Sequence, residues 1–272
     1  MKHLILVLVL SSMFVLPVKA QGFYFSVDGG YGIKMFSAIS YTIHYYSNSR
    51  YKAEAVRFSL GQGLNGGITA GYNFNPNIGM ELRLSYLLGS KKNFDFIDDN
   101  WDYKSTYIYY ARMFNINPSV VVMFGEGRLK PVFKAGFVMG FGKITSEETT
   151  KYSNLYSTST ETDYEKIQYS GGMAFGFNTS LGVLWKMNDN FYITANWYVT
   201  QMQYSPAKRE IIVYTENGED KLDEIDTIDR VIYFVDSVTD NDNQDDDKPG
   251  KSLKVTFPFG NTGLRFGVQY RF

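Results

Sequence analysis

Ile78-Gly79-Met80-Glu81-Leu82-Arg83-Leu84-Ser85-Tyr86-Leu87-Leu88 is the stretch that decides the fold. Its even positions are all large and apolar, while its odd positions hold Gly79, Glu81, Arg83, Ser85 and Leu87. Successive side chains of a β-strand point to opposite faces, so the stretch is one strand with an apolar and a polar side. Asn75-Pro76-Asn77 before it is a tight turn. On the far side of that turn, 56–74 repeats the pattern, with Val56, Phe58, Leu60, Leu64, Ile68, Ala70, Tyr72 and Phe74 in one series and mostly Gly, Asn, Ser and Thr in the other.

The same period-two pattern recurs over 23–33, 114–124, 131–141, 177–187, 191–201 and 262–272, which makes eight expected strands. Their connections alternate in length. Residues 75–77, 125–130 and 188–190 are short, whereas 34–55, 89–105, 142–168 and 202–261 are long. Short turns on one side and long loops on the other are the arrangement of an outer-membrane barrel.

Charge separates this from a soluble β-sandwich, which alternates in the same way. Within eleven residues of each short-turn end, no Asp, Glu, Lys or Arg falls on the apolar face of any strand, although a charged fraction of 20% would place about ten there. Gln62, Arg112, Lys143 and Gln201 break the apolar series only at or beyond that window. The opposite face carries Asp28, Glu81, Arg83, Lys134, Lys186, Arg265 and Arg271. Aromatic residues mark both ends of the window, as interfacial girdles do: Tyr72, Phe74, Phe124, Trp185, Phe191, Tyr270 and Phe272 at the turn end, and Tyr31, Tyr86, Tyr107, Tyr109 and Tyr110 at the loop end. Pro118 lacks an amide hydrogen in the middle of a strand, which predicts a bulge there.

Composition narrows the chemistry. The 272 residues include no Cys, which excludes disulfide scaffolds, thiolate zinc sites, Cys nucleophiles and anchoring through a lipidated Cys. With 27 Lys and Arg against 28 Asp and Glu, no nucleic-acid partner is expected. The aromatic content is high, at 22 Tyr, 21 Phe and 3 Trp. Residues 1–20 begin with Lys2, continue through an apolar run and end Val18-Lys19-Ala20, which reads as a signal peptide cleaved before Gln21. Residues 21–272 are then one domain. No later run is long and apolar enough for a transmembrane helix.

The last strand, Arg265-Phe266-Gly267-Val268-Gln269-Tyr270-Arg271-Phe272, has a polar residue, a glycine, alternating apolar residues and a terminal Phe. In this the chain resembles the small eight-stranded outer-membrane barrels of Gram-negative bacteria, of the OmpA and OmpX type. The resemblance implies an all-β fold: an eight-stranded antiparallel up-and-down transmembrane β-barrel with short periplasmic turns and long extracellular loops. It also implies that Arg265, Gly267, Tyr270 and Phe272 form an assembly signal read by the barrel-assembly machinery, in a membrane of lipid and lipopolysaccharide.

Four groups of residues are candidates for function. Asp28, Glu81, Arg83, Lys134 and Arg265 fall at similar depth on the inner face, and eight strands enclose only enough space for side chains. They are expected to pair as a salt-bridge plug, with Arg265 serving Asp28 or Glu81; a selectivity ring for small solutes or ions is the alternative. The second group is His44, the only histidine after residue 20, in the first long loop near Ser40, Ser47 and Ser49. With no second catalytic signal beside it, a non-enzymatic barrel without a cofactor is expected. The third is Gly61-Gln62-Gly63-Leu64-Asn65-Gly66, which matches a dinucleotide fingerprint in letters only, because no helix pattern follows.

The fourth group lies in 203–261, which holds 14 of the 28 acids against seven bases. Two β-prone runs there, 211–214 and 231–235, predict a hairpin above the membrane rather than a ninth and tenth strand. The alternate carboxylates of Asp240, Asp242, Asp245, Asp246 and Asp247 resemble the start of a calcium loop, but Asp245 stands where Gly is needed and Lys251 where Glu is needed, so only weak binding is expected. The sequence points to a surface or envelope protein whose loops contact an extracellular ligand or a host.

Overall fold

The computed structural model describes residues 22–35, 39–47, 50–98, 103–153, 160–239 and 245–272. Eight strands make its wall: β1 Gly22–Lys34, β2 Gly63–Asn73, β3 Ile78–Gly89, β4 Tyr103–Met123, β5 Leu129–Ser153, β6 Met173–Lys186, β7 Phe191–Ser205 and β8 Asn261–Arg271. Each pairs antiparallel with the next. β8 returns to β1 from Tyr24↔Arg271 to Lys34↔Asn261, so the ring is closed. Closure leaves the wall without an unpaired edge, which is what lets a sheet satisfy its backbone groups in hydrocarbon. The residues expected to be a signal peptide lie outside the described residues.

Two of the turns use the same device. The Asn75 Oδ1 accepts from the amides of Asn77 at 2.9 Å and Ile78 at 2.8 Å. Asn188 does likewise for Asn190 at 3.0 Å and Phe191 at 2.9 Å. A side-chain carbonyl replaces a backbone acceptor, which is why asparagine recurs at these reversals. The outward face is apolar as the alternation predicts: Phe25, Val27, Ile68, Met80, Leu82, Phe137, Leu181, Ile193, Phe266 and Val268 are all exposed, while Ser26, Thr69, Glu81, Arg83, Ser180, Thr194 and Gln269 between them are buried.

Four expectations are corrected by the structure. First, 56–74 is not one strand. Arg50–Arg57 is a separate strand paired with Ile39–Ser47, and Phe58 to Gln62 leaves the wall to cross the barrel mouth. Phe58 and Leu60, placed by alternation on the lipid face, are buried inside.

Second, Pro118 causes no bulge. Ile116↔Met139 and Ser119↔Gly136 keep one register on either side of it. The Asn117 side-chain amide donates to the Phe137 carbonyl, which that register places opposite Pro118, and so provides a donor where proline has none.

Third, much of the third and fourth long loops is sheet. β4 and β5 run on beyond the apolar band, Thr160–Ser170 pairs with β5 from Ile144↔Tyr169 to Ser153↔Thr160, and Lys208–Glu216 pairs along Thr160–Ser170. Val231–Val235 joins Lys208–Glu216 only through Lys208↔Tyr233, Arg209↔Ile232 and Glu210↔Val231. The two β-prone runs therefore extend a tall sheet above one side of the barrel, outside the ring of eight. Fourth, Tyr107 and Tyr109 do not belong to a girdle. They turn inward, where Phe94 stacks on both and Tyr109 also meets Phe58 at 5.8 Å.

Candidate functional site

The lumen is built in three layers. At the turn end, Val121, Met123, Val132, Leu184 and Tyr192 form an apolar cluster. Arg271 closes it from β8, with its guanidinium 4.5 Å from the centre of the Tyr192 ring and Nη2 3.2 Å from Met123 Sδ.

Above this lies the polar layer, into which the pleat directs the expected charges. Glu81 and Arg83 are two apart on β3 and so share the inner face. Lys134 Nζ donates to both Glu81 oxygens, at 2.9 and 2.8 Å, and the Tyr24 hydroxyl donates to Oε2 at 2.8 Å. Tyr24 reaches that far because its ring lies over Gly71, its register partner on β2, where a Cβ would stand 2.1 Å from the ring. Arg83 forks onto Asp28, with Nε 2.9 Å from Oδ2 and Nη2 on Oδ1. Asn65 continues the network, donating to the Tyr198 hydroxyl at 2.7 Å.

Arg265 is the correction. Its guanidinium lies over the Tyr198 ring at 4.1 Å rather than on a carboxylate, and its Nε has no hydrogen-bond partner. Arg83 and Lys134 already occupy the two acids, so stacking on the ring face is what remains for a third cation. All five expected residues nevertheless border one cavity, together with Asn117 and Asn196. It holds about 20 Å³, room for roughly one water. The next cavity outward, between Tyr198, Asn115 and Thr200, holds about 40 Å³.

The outermost layer was missed in the sequence. Leu60, Leu87, Met113, Ile144, Tyr204 and Phe259 form a second buried apolar cluster across the mouth. Two loop segments cross there and bond to each other: Leu60 N donates to Pro258 O at 3.0 Å and Ser59 Oγ to Gly260 O at 2.6 Å, while Phe259 N donates to Met202 O of β7 at 2.9 Å. At Gly61 a Cβ would stand 2.1 Å from the Phe259 carbonyl, and Gly63 has φ of 151°. Those glycines serve a chain crossing, not a phosphate. The available signal was the match between Phe58-Ser59-Leu60-Gly61 and Phe257-Pro258-Phe259-Gly260, two segments that begin with Phe, hold a large apolar residue at the third position and end in glycine, at the ends of different loops.

Above the mouth, the inner side of the tall sheet forms a concavity of about 300 Å³ lined by Tyr103, Tyr152, Tyr214, Glu148, Asp163 and Glu165. Burial raises the Asp163 carboxyl above its ordinary range, and the neighbouring Glu216 and Glu161 add to this against the hydrogen bond from Tyr152. Burial and Glu148 likewise raise Glu165, against Arg209, whose guanidinium lies 3.5 Å away. Three carboxyl groups and three tyrosine rings thus share one open concavity.

The remaining candidates are dispersed. In the assembly segment, the Tyr270 ring meets Phe191 at 5.0 Å and Phe272 at 4.9 Å, the Phe272 amide donates to Phe23 O at 3.1 Å, and Gly267 packs against the Val27 carbonyl. In the acidic tip, Asp240 and Asp242 lie outside the described residues. Asp245 pairs with Lys248 at 2.6 Å, and among the described residues no three acids or histidines converge on a metal-sized site. His44 lies on the Ile39–Ser47 strand, and Ser49 is outside the described residues.

Comparison with solved structures finds Neisserial surface protein A (NspA), with 14% identity over 93% of this chain and 99% of that one and a TM-score of 0.37. It also finds Ail, the attachment invasion locus protein of Yersinia pestis, in complex with the heparin analogue sucrose octasulfate, with 12% identity over 92% and 99% and a TM-score of 0.30. Neither reaches a TM-score of 0.5, so the fold rests on the closed ring and the family on its sequence model. No curated protein matches the chain significantly. That family model, the outer membrane protein β-barrel domain, runs over residues 5–272, nearly the whole of a chain whose strands close into a ring with an apolar band on its outward face, and the chain belongs to that family.

Proposed function

We propose that this protein is a non-conducting, non-enzymatic surface barrel of the outer membrane that uses its tall extracellular sheet to contact a ligand or host surface. The observation that carries this reading is the lumen, where apolar, charged and apolar layers succeed one another and the inner cavities hold only about 20 and 40 Å³. A solute path needs a continuous polar route, and here it is interrupted at both ends. The concave face of Tyr103, Tyr152, Tyr214, Glu148, Asp163 and Glu165 is the contact surface in this reading, and its chemistry suits a cationic partner. Residues 1–20 direct export, the strand ending at Phe272 engages the barrel-assembly machinery, and the mature barrel sits among outer-membrane lipid with lipopolysaccharide on the loop side.

Single-channel recording in planar bilayers tests the proposal. The wild-type barrel is expected to insert without stable unitary openings. Reproducible ohmic steps from wild-type protein would overturn it in favour of a small-solute or ion channel.

A further inference from the structure

Charge begins abruptly on the outward face where the apolar band ends. Phe114 of β4 and Phe141 of β5 are register partners, both exposed, and the next outward-facing pair is Arg112 opposite Lys143. Like charges placed directly opposite on neighbouring antiparallel strands repel each other. Among the described residues neither forms an ion pair. Lys143 Nζ donates to the neutral Gln168 Oε1 at 2.9 Å. The acid above them on this face, Glu147, is already taken by Lys166 at 3.2 Å, Lys91 at 3.8 Å and the Tyr110 hydroxyl at 3.0 Å. The two cations border an open concavity of about 590 Å³ that also includes Tyr86, Tyr110, Phe141 and Lys166.

We propose that Arg112 and Lys143 together bind a phosphate on the headgroup of an outer-leaflet lipid, the phosphorylated sugar of lipopolysaccharide, while its acyl chains lie over Phe114 and Phe141. The proposal rests on the reading above that this end of the barrel faces outward. An anion between the two side chains would convert a repulsive cross-strand pair into two attractive ones. A membrane lipid is the occupant, rather than a free anion, because the cations stand at the upper edge of a continuous apolar strip that only an attached hydrocarbon chain would cover.

The test compares wild-type protein with Arg112→Gln/Lys143→Gln, each refolded in zwitterionic micelles at low salt and checked for the heat-dependent gel shift of a closed barrel. Both are titrated with diphosphoryl lipid A, with dephosphorylated lipid A, and with inorganic phosphate. Wild type is expected to bind diphosphoryl lipid A at least tenfold more tightly than the dephosphorylated form, and the double variant to lose at least tenfold. Without lipid A the double variant should unfold at or above the wild-type temperature, since its cross-strand repulsion is gone, whereas residues with a purely structural role would lower it. The exchange Arg112→Lys/Lys143→Arg should retain binding, as should Lys221→Gln/Lys248→Gln elsewhere in the loops. Undiminished binding by the double variant, or equal binding of dephosphorylated lipid A, would overturn the proposal. Full competition by millimolar inorganic phosphate would also overturn it, by assigning a free-anion site instead. In each case the gel shift and the absence of conductance would still stand as separate tests of the barrel reading.

Discussion

Replacing Lys134 with Met takes the cation away from the more buried of the two acids in the polar layer. Glu81 is 4% exposed in its side chain and Lys134 19%, and Lys134 supplies hydrogen bonds to both carboxylate oxygens. Once it is gone, Oε2 keeps the Tyr24 hydroxyl, but Oε1 and the negative charge have no compensating cation. Arg83 cannot turn to it without abandoning Asp28. Breaking one side of a buried pair in this way costs about 3–5 kcal/mol, a shift of two to three and a half decades in the unfolding equilibrium. Removing both partners should cost far less, because a well-packed apolar replacement of a buried pair is often neutral. Urea unfolding of the refolded barrel in lipid vesicles at pH 8 would measure both. Lys134→Met is expected to lower stability by at least 3 kcal/mol, and Glu81→Leu/Lys134→Met to recover most of it. A loss below about 1 kcal/mol for the single variant, or a double variant as unstable as the single, would refute the view that this pair is dry and mutually dependent.

Arg265→Met, by contrast, should cost less than Lys134→Met in the same assay, because it forfeits a stacking contact and leaves no carboxylate unpaired; equal losses would contradict the observed partners. The folded protein should migrate faster on SDS gels before boiling than after, since a closed ring offers no edge from which to unravel, and identical mobilities would count against closure. Phe272→Ser should lower outer-membrane yield several-fold more than Tyr46→Ser, as measured by surface labelling, if the terminal strand is what the assembly machinery reads. Asp163 and Glu165 are raised in the folded state, so the stability they contribute is fully present below the unfolded carboxylate value near pH 4 and falls as pH rises through their folded values. Hydrogen exchange over 160–170, corrected for intrinsic rate, should therefore be slower at pH 5 than at pH 7, and Asp163→Asn/Glu165→Gln should erase the difference.

The wall was legible because its signal is local. Period two, the Asn-based turns and the absence of charge from one face each require only neighbouring residues. The depth of Asp28, Glu81, Arg83 and Lys134 followed from counting along strands, but their partners did not. Which cation meets which acid depends on the stagger between β1, β3 and β5 and on the ring of Tyr198 being available to Arg265. The outer layer was hidden for a different reason. Phe58 and Leu60 continue the alternation of the strand that follows them, so the pattern persists although the chain has left the wall. At Pro118 the reading failed because the compensating donor is a side chain one residue earlier, which backbone reasoning alone does not consider.

The crossing of Phe58 to Gly61 with Phe257 to Gly260 sets an order of events in time. Ser59 and Gly260 are 201 positions apart, and the second segment immediately precedes β8, the strand that completes the ring. The cap across the mouth therefore cannot form until nearly the whole chain has been synthesised and its last strand brought beside its first, a long-range closure with a high entropic cost. Closure of the ring and capping of the mouth both depend on the segment that leads into β8, so an error in β8 would leave a barrel that is both unclosed and uncapped.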